Sequence, residues 1–276
     1  MNLIVQGAAL GDDDLHRLAQ LAGTQKIERL GGSAGRLLGA QRQPGIAEYC
    51  ERAGLDFGFV PEGRRLADMR LLAIDMDSTL ITIECIDEVA DLAGVKAEVA
   101  AITAAAMAGE LDYAQSLRRR VGLLQGLDEA ALARVYEERL RLSPGAETLL
   151  AAVRSAGMKT LLVSGGFSFF TERLKSRLGL DYSISNVLEI EQGRLSGRVA
   201  GNIVDAQAKA ARLRALRDEF GIARDAVIAI GDGANDLAMM AEAGVSIAYR
   251  AKPVTRAKAD YALDHCGLDG VLNLFA

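Results

Sequence analysis

Short apolar runs recur along the chain from Leu71 onward, and stretches with helical periodicity separate them. The runs LLAI, TLLV and AVIAI are too short for helices and are continuous rather than alternating. Continuous apolar strands that alternate with helices are typical of a doubly wound, mostly parallel sheet with both faces covered. We therefore predict an α/β fold for residues 69–276. Its predicted strands are LLAID, KTLLVSGG, DYSISNVLEI, AVIAIGDG and VSIAY.

The first 68 residues follow a different pattern and predict a separate small α+β domain. Acidic residues start one amphipathic helix, DDDLHRLAQLAG, and Pro44 starts another. The predicted order is strand, helix, strand, strand, helix, strand. That order is typical of a ferredoxin-like antiparallel sheet with both helices on one face.

Residues 82–144 show no strand pattern and are rich in Ala, Leu, Glu and Arg. Their apolar residues recur at helical spacing, as in IDEVADLAG and EVAAITAAAMAG. Because this stretch lies between two predicted strands of the α/β sheet, we interpret it as an inserted helical cap.

Composition excludes several classes of function. The chain has 276 residues with 32 Lys and Arg against 37 Asp and Glu, and its net charge of -5 argues against nucleic-acid binding. Its longest apolar runs are far shorter than the roughly 20 residues that cross a bilayer, and no basic segment precedes the first one. We expect a soluble, cytoplasmic protein without a membrane partner.

Cysteine and histidine are too sparse for several kinds of catalysis. Cys50, Cys85 and Cys266 are widely spaced, which fits a reducing compartment and gives no zinc cluster. None of them is followed by Arg six positions later, which excludes a thiol-based phosphatase. His16 and His265 are too few and too far apart in sequence to suggest a metal pair.

Polar side chains follow the predicted strands at the points where they end. Asp75 and Asp77 should project to the same side, since side chains alternate along an extended chain. Parallel strands bring their carboxyl ends to one edge of a sheet, so these groups should meet there. The strand-end residues are Asp75, Asp77, Ser164, Gly165, Asp232, Asn235 and Asp236, and Lys209 lies near the start of the helix before the strand AVIAIGDG.

Taken together, these residue types indicate phosphoryl transfer. Clustered carboxylates suit Mg²⁺, while a serine hydroxyl, a glycine N–H and a lysine suit phosphate oxygens. One aspartate can attack phosphorus and the other can handle protons. Taken singly, each motif has an ordinary structural explanation, such as a solvated Asx turn for D-x-D. A calcium loop is excluded for GDGAND, because Leu237 stands where its sixth-position glycine belongs.

The motifs DMDST, VSGG, Lys209 and GDGAND resemble, in content and order, those of the haloacid dehalogenase-like superfamily of phosphatases. The resemblance spans residues 71–236. It implies that Asp75 forms an aspartyl-phosphate and that Asp77 protonates the leaving oxygen and then activates water. It further implies a Mg²⁺ site from Asp75, the carbonyl of Asp77, Asp232 and the adjacent Asp236, and a phosphate site from Ser164, Gly165, Asn235 and Lys209.

Within that superfamily, residues 70–265 are similar to the family that hydrolyses O-phosphoserine, in the last step of serine biosynthesis. This similarity implies that Glu84 meets the substrate ammonium, that Arg120 meets its carboxylate, and that Met107 and Tyr113 form an apolar wall. It also makes residues 1–68 look like a short ACT-like domain. The domain could have a regulatory, a dimerising or a packing role, and these alternatives remain open. Whether the chain forms a homodimer is also open.

Alternatives remain for the substrate and for individual residues. Arg120 lies beside an apolar stripe that includes Leu117 and Val121, yet three adjacent arginines are ordinarily a solvated helix face. Glu84 could simply be a first-turn acid of the following helix. The rival functions are a phosphatase for another small ester such as phosphohomoserine, a phospho-acceptor receiver module, and a binding protein without turnover.

Overall fold

The N-terminal sheet has four antiparallel strands in the order β2-β3-β1-β4, within a computed structural model that describes residues 1–275. Leu3 and Val5 of β1 pack against both helices, which therefore cover one face of the sheet, as the sequence predicted. Ile4, between them, points the other way and joins the main hydrophobic core. The elements are β1 Asn2–Gln6, α1 Asp12–Leu21, β2 Ile27–Arg29, β3 Ala34–Leu37, α2 Pro44–Ala53 and β4 Asp56–Val60.

The second sheet has seven strands in the order β11-β10-β9-β5-β6-β7-β8. Its pairs are parallel except for β7 with β8, so the predicted mostly parallel α/β sheet is confirmed. Its strands are β5 Leu71–Asp75, β6 Lys159–Phe167, β7 Tyr182–Glu191, β8 Arg194–Ala200, β9 Val227–Gly231, β10 Val245–Tyr249 and β11 Tyr261–Leu263.

Helices cover both faces of this sheet. In β5, Leu72 and Ile74 belong to the large core cluster, whereas Leu71 and Ala73 pack in a second cluster with Leu213 of α9. This two-sided burial explains why the central strands are continuously apolar. The helices after the cap are α7 Ala146–Ser155, α8 Ser168–Leu178, α9 Ala206–Glu219, α10 Leu237–Met240 and α11 Pro253–Arg256.

The segment between β5 and β6 forms the helical cap. A single antiparallel bridge joins Ile81 to Leu142, so the chain leaves and re-enters the sheet domain at nearly the same place. The cap contains α3 Cys85–Ala93, α4 Lys96–Met107, α5 Tyr113–Gly122 and α6 Ala130–Arg134, followed by a helical turn at Val135–Arg139.

The sequence analysis did not predict β8 and β11. β8 carries Gly197 and Arg198 and lies at the sheet edge, where polar residues remain solvated, so its apolar pattern is weak. β11 has only three residues and is recognisable only through its pairing with β10. Among the described residues, no helix has both the length and the apolar content needed to span a bilayer.

Candidate active site

A cavity of about 530 Å³ lies at the carboxyl ends of the central strands, beneath the cap. Three further residues singled out in the sequence, Ser164, Lys209 and Asp236, are fully buried just behind the cavity wall. Ser164 bonds Asp77 and Lys209 bonds Asp75, both of which line the cavity, and Asp236 bonds Lys209. Strand ends and cap therefore face each other across one space. The predicted residues that line the cavity are Asp75, Asp77, Glu84, Met107, Tyr113, Arg120, Gly165, Asp232 and Asn235.

The floor of the cavity holds a compact acidic cluster. Carboxylate oxygens of Asp75, Asp232 and Asp236 all lie within 4.8 Å of one another. The ammonium of Lys209 bonds Asp75 at 2.5 Å and Asp236 at 2.8 Å. The adjacent parallel strands β5 and β9 bring these acids together from positions more than 150 residues apart in sequence. A single lysine cannot balance three buried carboxylates.

Burial and mutual repulsion perturb the ionisation of this cluster. Burial, reinforced by the charge of Asp236, raises the pKa of Asp75 well above its ordinary value. The same two causes raise the pKa of Asp232 to about 6. Burial alone would lower the pKa of Lys209, but the charges of Asp75 and Asp236 outweigh it and raise that pKa. The cluster is thus a hard-oxygen site with excess negative charge, which suits a divalent cation.

Asp77 has a different environment, although it is only two positions from Asp75. Its Oδ1 accepts the backbone N–H of Cys85 at 2.8 Å, and its Oδ2 accepts the hydroxyl of Ser164 at 3.3 Å. Ser78 adopts a left-handed conformation, with φ of 55°, and turns the chain away from the strand just after Asp77. Burial, followed by the charge of Glu84, raises the pKa of Asp77 to about 7.

The loop at the end of β6 lies beside this carboxylate. The pairing of β6 with β7 shifts register between Val163 and Phe167, so the backbone leaves the regular ladder here. Ser164 Oγ accepts the N–H of Gly166 at 2.8 Å. A Cβ at Gly166 would lie 2.7 Å from Asp77 Oδ2, so the close approach of this loop to Asp77 requires glycine.

The cap contributes groups of both charges to the opposite wall. Glu84 precedes α3 and accepts the hydroxyl of Ser78 at 2.7 Å. Arg120 lies on α5 and lines the cavity, whereas Arg118 and Arg119 are exposed. The Nε of Arg120 is buried and has no hydrogen-bond partner within residues 1–275. Such an unpaired buried donor indicates a missing acceptor.

The residues suggested as an apolar wall differ in exposure. Met107, at the end of α4, lines the cavity but is 72% exposed. Tyr113 is half-buried, and its hydroxyl donates to the carbonyl of Gly165 at 3.0 Å, so its tip is polar. The exclusion of water by these two side chains remains a prediction.

The sequence analysis overlooked two residues at this site. Lys252 lines the cavity, and its backbone N–H donates to the carbonyl of Asp232 at 2.9 Å. Like the acids, it follows a strand end, three residues after Tyr249, but the sequence analysis did not consider the residues that follow VSIAY. Asn186 is 1% exposed within β7 and bonds the Gly165 carbonyl. A buried asparagine in an apolar strand pattern was the available signal.

Comparison with known proteins gives one identification for most of the chain. Residues 72–241 match the family model described as haloacid dehalogenase-like hydrolase, and residues 3–46 match a domain of unknown function. A phosphoserine phosphatase of Polaromonas sp. is 54% identical over 215 residues, which are 76% of this chain and 91% of that protein.

Solved structures agree with this identification. A probable phosphoserine phosphatase of Vibrio cholerae, in its unliganded form, has a TM-score of 0.87 and 38% identity, covering 99% of this chain and 85% of that one. A substrate-bound phosphoserine phosphatase and a phospho-aspartyl intermediate analogue each give a TM-score of 0.71 and 38% identity, covering 75% of this chain and 99% of theirs. The chain belongs to the haloacid dehalogenase-like hydrolases.

Proposed function

We propose that this protein is a Mg²⁺-dependent phosphatase that hydrolyses O-phospho-L-serine to L-serine and inorganic phosphate through a phosphorylated Asp75. One observation carries the proposal: a single cavity places the acidic cluster with Lys209 opposite a cap wall that offers Glu84 and Arg120. The similarity to proteins named phosphoserine phosphatase supports the same substrate. The reaction would then be the last step of serine synthesis.

The cap wall matches the amino-acid end of phosphoserine. The substrate carries an ammonium and a carboxylate, so its site needs one group of each sign. Arg120 supplies guanidinium donors, including the buried Nε without a partner among the described residues, and these suit a carboxylate. Glu84 supplies the negative charge for the ammonium. A sugar phosphate has neither an ammonium nor a carboxylate, so Glu84 and Arg120 would not form these charged contacts with it.

The two aspartates of the first strand end divide the chemistry. A carboxylate oxygen of Asp75 forms a bond to phosphorus while the bond from phosphorus to the serine oxygen breaks. Asp77 gives its proton to that oxygen, and serine leaves. Asp77 then takes a proton from water as the water oxygen attacks phosphorus, which releases phosphate and restores Asp75. A pKa of about 7 for Asp77 suits this exchange near neutral pH.

Residues around the floor hold the phosphate group. The backbone N–H of Gly165, the hydroxyl of Ser164 and the side chain of Asn235 offer donors for its oxygens. Lys209 keeps Asp75 in place through its 2.5 Å bond and adds positive charge. These roles follow from the resemblance and from the location of each residue at the cavity.

The acidic cluster fits a magnesium ion. Asp75, Asp232 and Asp236 would hold it, together with the backbone carbonyl of Asp77, because Mg²⁺ prefers oxygen ligands and excess negative charge. When bound, the ion would neutralise charge on the phosphate oxygens and on Asp75.

We also propose the domain division 1–68 and 69–276, with the cap inserted at about 82–144. The ends of the two sheets support the first boundary, because β4 ends at Val60 and β5 begins at Leu71. The bridge between Ile81 and Leu142 supports the second.

Phosphate release from a panel of esters tests the substrate. The panel contains phosphoserine, phosphothreonine, phosphohomoserine, a hexose phosphate and p-nitrophenyl phosphate, each with added Mg²⁺ and with EDTA. We expect phosphoserine to give the highest kcat/KM and EDTA to abolish its turnover. A higher kcat/KM for phosphohomoserine would transfer the assignment to that ester, and undiminished turnover in EDTA would overturn the metal requirement.

A further inference from the structure

The carbonyl oxygen of Gly165 accepts two side-chain hydrogen bonds that come from opposite sides of the cavity. Asn186 Nδ2, from strand β7 of the core, donates to it at 2.7 Å. Tyr113 Oη, from the first residue of cap helix α5, donates to it at 3.0 Å. One peptide of the phosphate-binding loop is therefore held by both the core and the cap.

The bond from the core is fixed independently of the cap. Asn186 is 1% exposed, and its Oδ1 accepts the backbone N–H of Val204 at 2.8 Å. With one end of the amide accepting and the other donating, the side chain has a single orientation that satisfies both partners. The Gly165 carbonyl is thus a stationary acceptor for Tyr113.

The space above Gly165 is shaped by the same tyrosine. A Cβ built on Gly165 would lie 2.3 Å from Tyr113 Oη, and the next two nearest heavy atoms also belong to Tyr113, namely Cζ at 3.4 Å and Cε2 at 3.9 Å. The φ of Gly165 lies outside the left-handed region, so its backbone conformation does not require glycine. Glycine is required at this position because the cap tyrosine approaches so closely.

We propose that Tyr113 is a positioning residue whose hydroxyl latches α5 onto Gly165, and that residue 165 is glycine to admit it. Arg120 lies on the same helix, so a latch at the first residue of α5 fixes the helix that presents the guanidinium to the substrate carboxylate. Recognition of the amino-acid end is thereby tied to the phosphate-binding loop. This inference rests on the proposed function for the ligand of Arg120, but the contact itself does not.

A double-mutant cycle tests the latch with Tyr113→Phe, Gly165→Ala and the combined variant. Tyr113→Phe removes only the hydroxyl, and we expect kcat/KM for phosphoserine to fall about two- to tenfold, as for the loss of one hydrogen bond. Gly165→Ala should cost more, because its Cβ pushes the cap away. In the combined variant the nearest ring atom is Cζ at 3.4 Å, so kcat/KM should return to the level of Tyr113→Phe alone.

Two controls separate the latch from a general loss of structure. Tyr136→Phe changes another cap tyrosine, whose hydroxyl makes no hydrogen bond within residues 1–275, and should leave kcat/KM unchanged. p-Nitrophenyl phosphate lacks the amino-acid end, so Tyr113→Phe should lower its kcat/KM by a smaller factor than the kcat/KM for phosphoserine.

Other results would overturn the proposal. Losses that multiply in the combined variant would show that Cβ and Oη do not compete for one space. A Gly165→Ala variant as active as wild type would show the same. Preference of the wild type for an ester other than phosphoserine would overturn the proposed function instead. The double-mutant cycle would then be measured with that ester as the substrate.

Discussion

Asp75 and Asp77 show how neighbours assign different properties to identical side chains. Asp75 faces Lys209 and the other acids of the cluster, whereas Asp77 accepts a backbone N–H and a serine hydroxyl. The ammonium of Lys209 opposes the rise that burial and the charge of Asp236 cause in the pKa of Asp75. Asp77 has no direct cationic partner among its described hydrogen bonds, and burial together with the charge of Glu84 raises its pKa to about 7.

Replacing Asp75 with Asn tests the nucleophile. The amide has the same shape but is a poor nucleophile, so kcat for phosphoserine should fall by roughly a thousandfold or more. Acid-quenched wild-type protein should gain the mass of one phosphate during turnover, and the variant should not. The control Asp225→Asn changes an exposed aspartate and should keep wild-type activity. Phosphorylation of the Asp75→Asn protein would contradict the assignment.

Replacing Arg120 with Ala tests recognition of the carboxylate. Loss of a charge-assisted contact, about 1.5–3 kcal/mol, should raise KM for phosphoserine roughly 10- to 150-fold. The kcat should change less, and kinetics with p-nitrophenyl phosphate should stay near wild type. Arg118→Ala, which removes an exposed arginine of the same helix, is the matched control. Equal losses in the two variants would show that general electrostatics, rather than a specific contact, is responsible.

At the scale of elements, the ends of neighbouring strands concentrate charge that the chain alone cannot neutralise. Strands β5 and β9 pair directly, and their ends hold Asp75 and Asp232. Asp236 lies in the turn after β9 and completes the cluster. The repulsion between these acids destabilises the metal-free fold, so a bound cation should stabilise it.

Thermal unfolding measures this effect without any substrate. At a Mg²⁺ concentration about 100-fold above its dissociation constant, binding to the folded state adds about 2.7 kcal/mol and raises Tm. Asp232→Asn should raise the Tm of the metal-free protein, because it removes repulsion, and should shrink the Mg²⁺-induced shift. A sodium salt at equal ionic strength is the control. An undiminished shift in the variant would place the ion elsewhere.

At the scale of the whole molecule, one buried aspartate joins the N-terminal sheet to the catalytic part. Asp56, in the edge strand β4, is 4% exposed and accepts the backbone N–H groups of Asp264, His265 and Cys266 at 2.8–3.2 Å. Both faces of β1 are buried, because Leu3 and Val5 pack against the N-terminal helices and Ile4 packs into the main core. These contacts make the N-terminal unit part of the folded whole.

Asp56→Ala should therefore destabilise the entire protein. It leaves backbone N–H groups without their acceptor, and we expect the free energy of unfolding in urea to fall by about 2–4 kcal/mol. Asp68→Ala, which breaks an exposed pair with Arg65, should have little effect. A stability unchanged by Asp56→Ala would show that the two units are joined by other contacts.

The fold was largely predictable because its signals are local. A short window of sequence is enough to recognise the continuous apolar strands, the two periodic helices of the N-terminal domain and the cap without strands. Strands β8 and β11 did not, since one is polar and the other has three residues. Arg120 could be selected from three arginines because Leu117 and Val121 mark the buried side of α5.

The fold class and the edge of the sheet at which the acids gather could be inferred from residue order alone, because side-chain alternation and strand direction follow from it. The contacts between individual groups became known only from the folded structure. Lys209 reaches Asp75 from 134 positions away, Tyr113 and Asn186 meet on Gly165, and Asp56 reaches the chain 208 to 210 residues later. Contacts over such separations depend on how completed elements pack, and no local pattern encodes them.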